Sequence, residues 1–376
     1  MKVSEVLQIL SREIIPAVKW KNDPCGLLVG NPESEVNKIL TALNPTLEVV
    51  QEAKDKGCGL IVSHHPLFKK KVASLVEGDM YSDIIRCLIR NDISLISFHT
   101  SYDLLKDGVS TLLAEELGMK NIAPLVPVSE LDEVEVHELY KIVVYCPLEF
   151  ESRIKKTIHK HGGATIGNYD HCFFSSEGTG SFRPGNLTDP FIGKPGKIES
   201  VKEKRIETVI PEWKINEVVD AVKRSHPYEE PVIDLYRIYT GSGNFGLGAI
   251  GDLENKVTLK DLCRTVSEKL RTQSLRIVTG KNSRSKKLGR IAVCGGSGSS
   301  FWKYALAKGA EVFISSEFGH HLYQEASYHM NIIDATHHST EQFVKKGLKE
   351  VLERFFDGTV SESLKDTDII KNMDQI

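Results

Sequence analysis

With 376 residues and a formal charge of −3, the chain is long enough for two or three self-supporting domains and has no basic excess pointing to nucleic acid. Apolar residues at 40% and charged residues at 26% describe an ordinary soluble protein, and no apolar run reaches membrane-spanning length. Seven cysteines (Cys25, Cys58, Cys87, Cys146, Cys172, Cys263 and Cys294), an odd count without a Cys-x-x-Cys pair, argue against a disulfide framework or a structural zinc knuckle. With the acid-bearing amphipathic start MKVSEVLQILSREII, they make a cytoplasmic protein the expectation.

In chain order, Val3, Val6, Leu7, Leu10 and Ile14 predict an amphipathic helix stopped by Pro16. Asp23-Pro24-Cys25-Gly26 reads as a turn into the apolar run 27–30. A strand from Ile39, an Ala/Lys-rich helix closed by Gly57 and a strand over 60–63 follow, the last ending in His64-His65-Pro66. Another helix leads to a strand ending in His99, with Asp103 four residues on, and then to a helix over 110–117 closed by Gly118.

From about residue 124 the pattern changes. Strand 139–146, helix 149–161, strands 171–182 and 205–210, helix 215–224 and strand 232–239 give the order βαββαβ, the ferredoxin-like split motif. A polar Gly/Pro-bearing excursion over 186–204 separates its middle strands. Gly241-Ser242-Gly243 returns the chain to its first pattern, so residues 125–240 are expected to form a domain inserted into a larger one made of 1–124 and 241–376.

A helix over 259–270 and a short strand over 276–279 precede a second copy of the strand, loop, helix, glycine, strand layout. It runs from Ile291 through Gly295-Gly296-Ser297-Gly298-Ser299 and Gly309 to Glu317, His320 and His321, then along another strand to His337, with Glu341 four residues on. The two copies predict an α/β fold of two related halves, with both His and Asp/Glu sets beyond the carboxyl ends of the strands, where ligands collect in such sheets. An amphipathic helix over 342–356 follows, and the polar tail from Asp357 is weakly patterned and has no assigned role.

Successive strand side chains point to opposite faces, so His64 and His65 are expected to serve different ions. His337 and Glu341, four apart at a helix start, share a face. A lone histidine pair would be plain polar punctuation; the repeated layout is what favours metal. His64, His65, Asp103, His337 and Glu341 offer three imidazoles and two carboxylates, too few for two closed tetrahedral shells unless a carboxylate bridges and solvent fills the rest. That openness is what a catalytic dinuclear site needs. The donors suit two divalent ions of zinc, iron, manganese, cobalt or nickel without choosing among them.

His99 and Glu317, at the same strand ends, are candidates for orienting ligands or shuttling protons, against the plainer reading of polar lining; His320 and His321 are weaker ones. The loop at 295–299 could cradle a phosphate, but it lacks the Walker lysine and the dinucleotide spacing, so a tight turn is preferred. His226 with Tyr228, Glu229 and Glu230 is read as a packing and hydrogen-bonding cluster.

Seven motifs in order, DPCGLLVG (23–30), SHHP (63–66), HTSYD (99–103), GTGSFRP (178–184), HPYEEP (226–231), CGGSGSS (294–300) and HHSTE (337–341), span nearly the whole chain. Through them it resembles the dinuclear-metal-centre proteins named GTP cyclohydrolase I type 2 homologues, also called the Nif-three-like family. The resemblance implies a metal pair at His64, His65, Asp103, His337 and Glu341, and a homohexameric toroid whose sites face an interior cavity. It also implies an inserted domain like those of PII signalling and CutA proteins. The family name implies GTP as substrate, with hydroxide attack at C8 of guanine, ring opening and formate release, and with His99 or Glu317 as proton shuttle.

Three departures stand out: Thr336 where a glycine often precedes the C-terminal histidine, Asn44 for an aspartate, and Ser315-Ser316 for Thr-Gly ahead of Glu317. None is expected to touch a ligand; the pocket shape is what they bear on. Two function classes remain. One is a metal-dependent hydrolase acting on a nucleotide or similar small molecule through metal-bound hydroxide. The other is a non-catalytic metal carrier, sensor or regulatory scaffold, which needs no positioned base.

Overall fold

The computed structural model describes residues 1–14, 18–69, 72–136, 139–166, 169–238, 245–281 and 287–371. The predicted helix stop at Pro16 and the turn at 241–243 lie outside them. The chain divides into two compact units, Met1–Glu135 with Ser242–Ile376, and Val136–Gly241. Among the described residues no helix is long and apolar enough to cross a membrane.

The first unit opens with α1 (Val3–Ile14), whose stripe buries Val3, Val6, Leu10 and Ile14. Next come β1 (Val18–Trp20), β2 (Gly26–Val29), β3 (Lys38–Ala42), α2 (Leu47–Lys56), β4 (Leu60–Ser63), α3 (Met80–Arg90) and β5 (Ser94–Ser97). Short helices α4 (Thr100–Asp103) and α5 (Val109–Glu116) follow. Strands β3, β4 and β5 are parallel neighbours, with Ala42 opposite Ser63 and Ser63 opposite Ser97, so their carboxyl ends finish level. Alternation decides the layers: Ile39, Leu60, Val62 and Ile96 pack against α1, while Leu40, Ile61 and Leu95 pack against α2 and α3.

After β6 (Met119–Pro127) and β7 (Val134–Val136), the second unit holds β8 (Leu139–Pro147), α6 (Glu151–Lys160), β9 (Phe174–Phe182), β10 (Glu199–Pro211), α7 (Ile215–Ser225) and β11 (Ile233–Ile238). Its sheet is antiparallel in the order β11-β8-β10-β9. Ile142, Val144, Ile206 and Ile210 form a core with Ile154, Ile158, Val218 and Val222 of its two helices. His226 uses both ring nitrogens, Nε2 donating to Tyr145 O at 2.8 Å and Nδ1 accepting from Tyr228 N at 3.0 Å, which is a structural role.

The chain re-enters the first unit with β12 (Gly246–Val257), α8 (Leu259–Lys269), β13 (Arg276–Val278), β14 (Leu288–Val293), α9 (Trp302–Ala307) and β15 (Val312–Ser315). It finishes with α10 (His320–Ala326), β16 (Asn331–Asp334), α11 (His337–Glu341), α12 (Val344–Glu353) and β17 (Thr359–Glu362). The second sheet runs β13-β16-β15-β14-β12-β6, and its parallel trio β14, β15 and β16 repeats the layout of β3, β4 and β5.

Two features differ from the sequence-based expectation. Strand β6 pairs antiparallel with β12, and Lys21 N donates to Glu133 O at 2.9 Å, so the first unit keeps the chain to residue 135 instead of 124. The tail beyond Asp357 also has structure. Strand β17 adds to β3 in parallel, a short edge strand with too little alternation to be read from four residues.

Candidate metal centre

The carboxyl ends of both parallel trios bring together side chains that are far apart in the chain. His64 and His65 leave β4, His99 and Asp103 follow β5, Glu317 follows β15, and His337 and Glu341 lie on α11 after β16. Three groups of donors, each with ligand atoms within 4.8 Å of one another, result: His64, Asp103 and Glu341; His65, His337 and Glu341; and His64, His65 and His99. Glu341 belongs to two of them. All five side chains read from sequence as ligands are therefore gathered, and His99 is gathered with them.

Each imidazole is turned by a bond at its outer nitrogen. His64, fully buried, donates from Nδ1 to Phe98 O at 3.0 Å, which leaves the Nε2 lone pair facing inward. His337 Nδ1 lies 2.8 Å from Glu317 Oε1. For His65 the orientation comes in two steps. The Asp366 carboxylate can only accept, so Asn44 donates Nδ2 to it at 3.1 Å and turns Oδ1 toward His65 Nδ1, 2.8 Å away. Partners of this kind fix tautomer and ring angle in metal sites.

The inner atoms fit an ion. Glu341 Oε2 lies 3.0 Å from Nε2 of both His65 and His337, yet among the described residues it forms no aligned hydrogen bond, and neither do the buried Nε2 atoms of His64 and His337. A 3.0 Å approach without hydrogen-bond alignment is about the separation of neighbouring ligands around an ion bound at roughly 2.1 Å. His64 Nε2 and Asp103 Oδ1 are 3.6 Å apart.

The charges point the same way. Burial pushes the His64 imidazolium down to about 3, so this ring is neutral. Burial, then the carboxylates of Glu341 and Asp23, lift Asp103 well above the usual carboxylate range. Burial also opposes ionisation of Glu341, but His337 and His65 beside it hold it well below that range. Burial likewise disfavours the His337 cation, and Glu341 and Glu317 outweigh it, raising the ring to about 9. Crowded carboxylates beside inward-facing imidazoles are what a bound cation relieves.

The glycine loop is packed against this centre. A Cβ at Gly296, which sits at φ +63, would meet Glu341 Oε1 at 2.1 Å and His337 Nε2 at 3.1 Å. Gly296 N donates to Thr340 Oγ1, Gly295 N to Ser110 Oγ and Gly298 N to Ser315 Oγ. With these three N–H groups engaged inside the protein, the loop is the preferred tight turn, and its work is to let the backbone approach Glu341.

Comparison with known proteins places this architecture. A family model described as Duf34/NIF3 (NGG1p interacting factor 3) matches residues 1–372. The chain belongs to the NIF3 family. Its relatives include proteins named GTP cyclohydrolase 1 type 2 homolog. One from Halalkalibacterium halodurans is 34% identical over 366 residues, covering 97% of this chain and 95% of that protein. One from Staphylococcus aureus strain MRSA252 is 39% identical over 359 residues, covering 95% and 94%. The crystal structure of a Bacillus cereus protein related to NIF3 matches with TM-score 0.77 at 32% identity over 99% of both chains.

Within this NIF3 chain one of the departures noted in the sequence does touch a candidate ligand, contrary to expectation: Asn44 orients His65, as described. The other two act on the surrounding backbone. Thr336 caps α11, accepting from Ser339 N at 3.3 Å, and so sets where His337 begins. Ser315 and Ser316 both donate to Gly296 O, at 3.1 and 2.6 Å, and hold the glycine loop. Glu317 sits at φ +62, a left-handed position uncommon for glutamate. His320 and His321 begin α10, exposed and outside the three donor groups.

Sequence reasoning missed two more residues. Asp23 lies 2.9 Å from His99 Nδ1 and accepts from Ser101 N at 3.3 Å, so the DPCG turn serves the site as well as the chain reversal. Asp366 was hidden in the unassigned tail. The first had a signal, an acid in a quoted motif; the second had none, because its partners Leu43 and Asn44 are more than 300 residues away.

Proposed function

We propose that this NIF3-family protein holds two divalent transition ions, one by His64, Asp103 and Glu341 and one by His65, His337 and Glu341, with Glu341 shared, and acts as a metal-dependent hydrolase on a nucleotide or similar small molecule. The observation that carries this is the placement of Glu341 Oε2 at 3.0 Å from two inward-facing imidazole nitrogens without a hydrogen bond to either. Ions held there would supply Lewis acidity toward a substrate oxygen and make a water a better nucleophile near neutral pH.

The chain's own residues supply the rest. Asp23 accepts from His99 Nδ1 and thereby leaves Nε2 with a lone pair, so His99 takes a proton from attacking water and Asp23 steadies the resulting cation. This Asp–His pair beside the donor cluster favours the enzyme over the carrier, which has no use for a base. Glu317 accepts from His337 Nδ1 and holds that ring in place. GTP is the first substrate to try, because relatives bear the name GTP cyclohydrolase 1 type 2 homolog. The second unit, whose strand order matches the ferredoxin-like split motif, is assigned as the PII/CutA-like insert. The homohexameric toroid is carried over from the resemblance, and light scattering tests it.

The function test is anaerobic purification with metal analysis, then turnover on GTP and a panel of nucleotides, esters and amides. Both the two ions of this centre and product formation are expected to be lost in His64→Ala and Glu341→Ala. His99→Asn should keep the metal and lose about 10²–10⁴-fold in kcat. Full loading without turnover on any member of the panel would replace the hydrolase by the carrier.

A further inference from the structure

We propose that the second unit carries a separate divalent-cation site formed by His159, Asp170 and His171, suited to a transition ion such as zinc or nickel. A ring nitrogen of each histidine and a carboxylate oxygen of Asp170 lie within 4.8 Å of one another, far along the chain from the centre described above. His159 occupies the last turn of α6, and His171 stands shortly before β9. Their rings lie with centroids 3.6 Å apart and planes inclined by 33°.

A second observation concerns His159 alone. Its Nδ1 is shielded from solvent and has no hydrogen-bond partner among the described residues, an unfavourable state for a polar atom if nothing else satisfies the ring. A histidine packed only for shape would turn that atom to a carbonyl. His161, two residues on, does so, with Nδ1 2.8 Å from Thr157 O. His171 Nδ1 lies 3.2 Å from Asp170 Oδ2, and these two side chains are 59% and 72% exposed, so solvent is at hand to complete a shell of three protein donors. Two imidazoles and one carboxylate suit borderline ions better than calcium or magnesium. The carbonyl dipoles at the carboxyl end of α6 favour a cation there as well. The ion would clip the end of α6 to the entry of β9 and close the loop between them.

The test uses the full chain, stripped with a chelator and dialysed against buffered zinc. Wild type is compared with His159→Gln and with His171→Asn, since asparagine tolerates the φ of +52 at that position. Circular dichroism checks that each variant is folded. Wild type should hold one zinc per chain more than either variant at the same free zinc, with affinity at this site falling at least about 10–100-fold when one ligand is lost. Zinc should also protect His159 and His171 of the wild type from diethyl pyrocarbonate. Equal zinc content in all three proteins overturns the site. So does zinc-dependent protection confined to His64, His65, His99 and His337.

Discussion

Asp366 reaches His65 only through the amide of Asn44, and a carboxylate acting at one remove is a sensitive place to perturb the centre. Buried, it also accepts from the backbone N–H groups of Leu43 and Asn44. Asp366→Ala should therefore cost the metal-free protein about 2–3 kcal/mol in urea unfolding, the scale for losing hydrogen bonds to a charged group. It should also weaken metal binding about 10–100-fold in competition with a chromophoric chelator. Asn44→Ala should reproduce the second effect with less of the first. Gly296 offers a steric counterpart. Gly296→Ala puts a methyl on Glu341 in a left-handed backbone, so both stability, by about 1–2 kcal/mol, and metal content should fall. Gly309→Ala has the same backbone cost at φ +77 but open space around its Cβ, so metal content should not change.

At the scale of elements, the tail is tied down from α2. Glu52 accepts from Ser363 Oγ at 2.5 Å, from Leu364 N at 3.0 Å and from Lys365 N at 3.1 Å, with Lys56 Nζ at 2.6 Å. Burial favours its neutral acid, but Lys56, Ser363 and the two N–H groups outweigh this and bring it down to about 2. A carboxylate whose folded pKa is depressed stabilises the fold above its unfolded pKa and loses that stabilisation as pH falls toward the folded value. Glu52→Gln should thus be about 2 kcal/mol less stable than wild type at pH 7, the gap narrowing as pH drops from 5 toward 3 in chemical denaturation. A gap that widened on acidification would contradict the assignment. Strand β17 and the Asp366 turn hang on this tether, so the same substitution should loosen the hold on His65.

For the whole molecule, an ion bound by donors from both sheets would tie the two halves of the first unit together. Metal at about 100 times its Kd should add about 2.7 kcal/mol to stability. For a domain of this size that is a rise of about 5–10 °C in Tm, read by calorimetry on chelator-treated protein before and after zinc addition. The rise should be largely lost in Glu341→Ala, which removes the donor common to both groups. An equal rise in that variant would place the stabilising ion elsewhere.

Some of this was legible in the chain itself, for a physical reason. Strand alternation, helical stripes and glycine-closed helices are local patterns, so the repeated α/β layout, the stripe of α1 and the run ending in His64-His65 could be read from neighbours. Placing His and acid residues just after strands was local too, and parallel strands finishing level did the gathering. What only the tertiary structure decided were contacts with no local signature. Among these are Asp366 on Asn44, Glu52 on the tail, Asp23 on His99, and the pairing of β6 with β12 that moved the unit boundary. A hydrogen bond between residues hundreds apart leaves no period in the sequence; only the packed sheets bring its donor and acceptor within bonding distance.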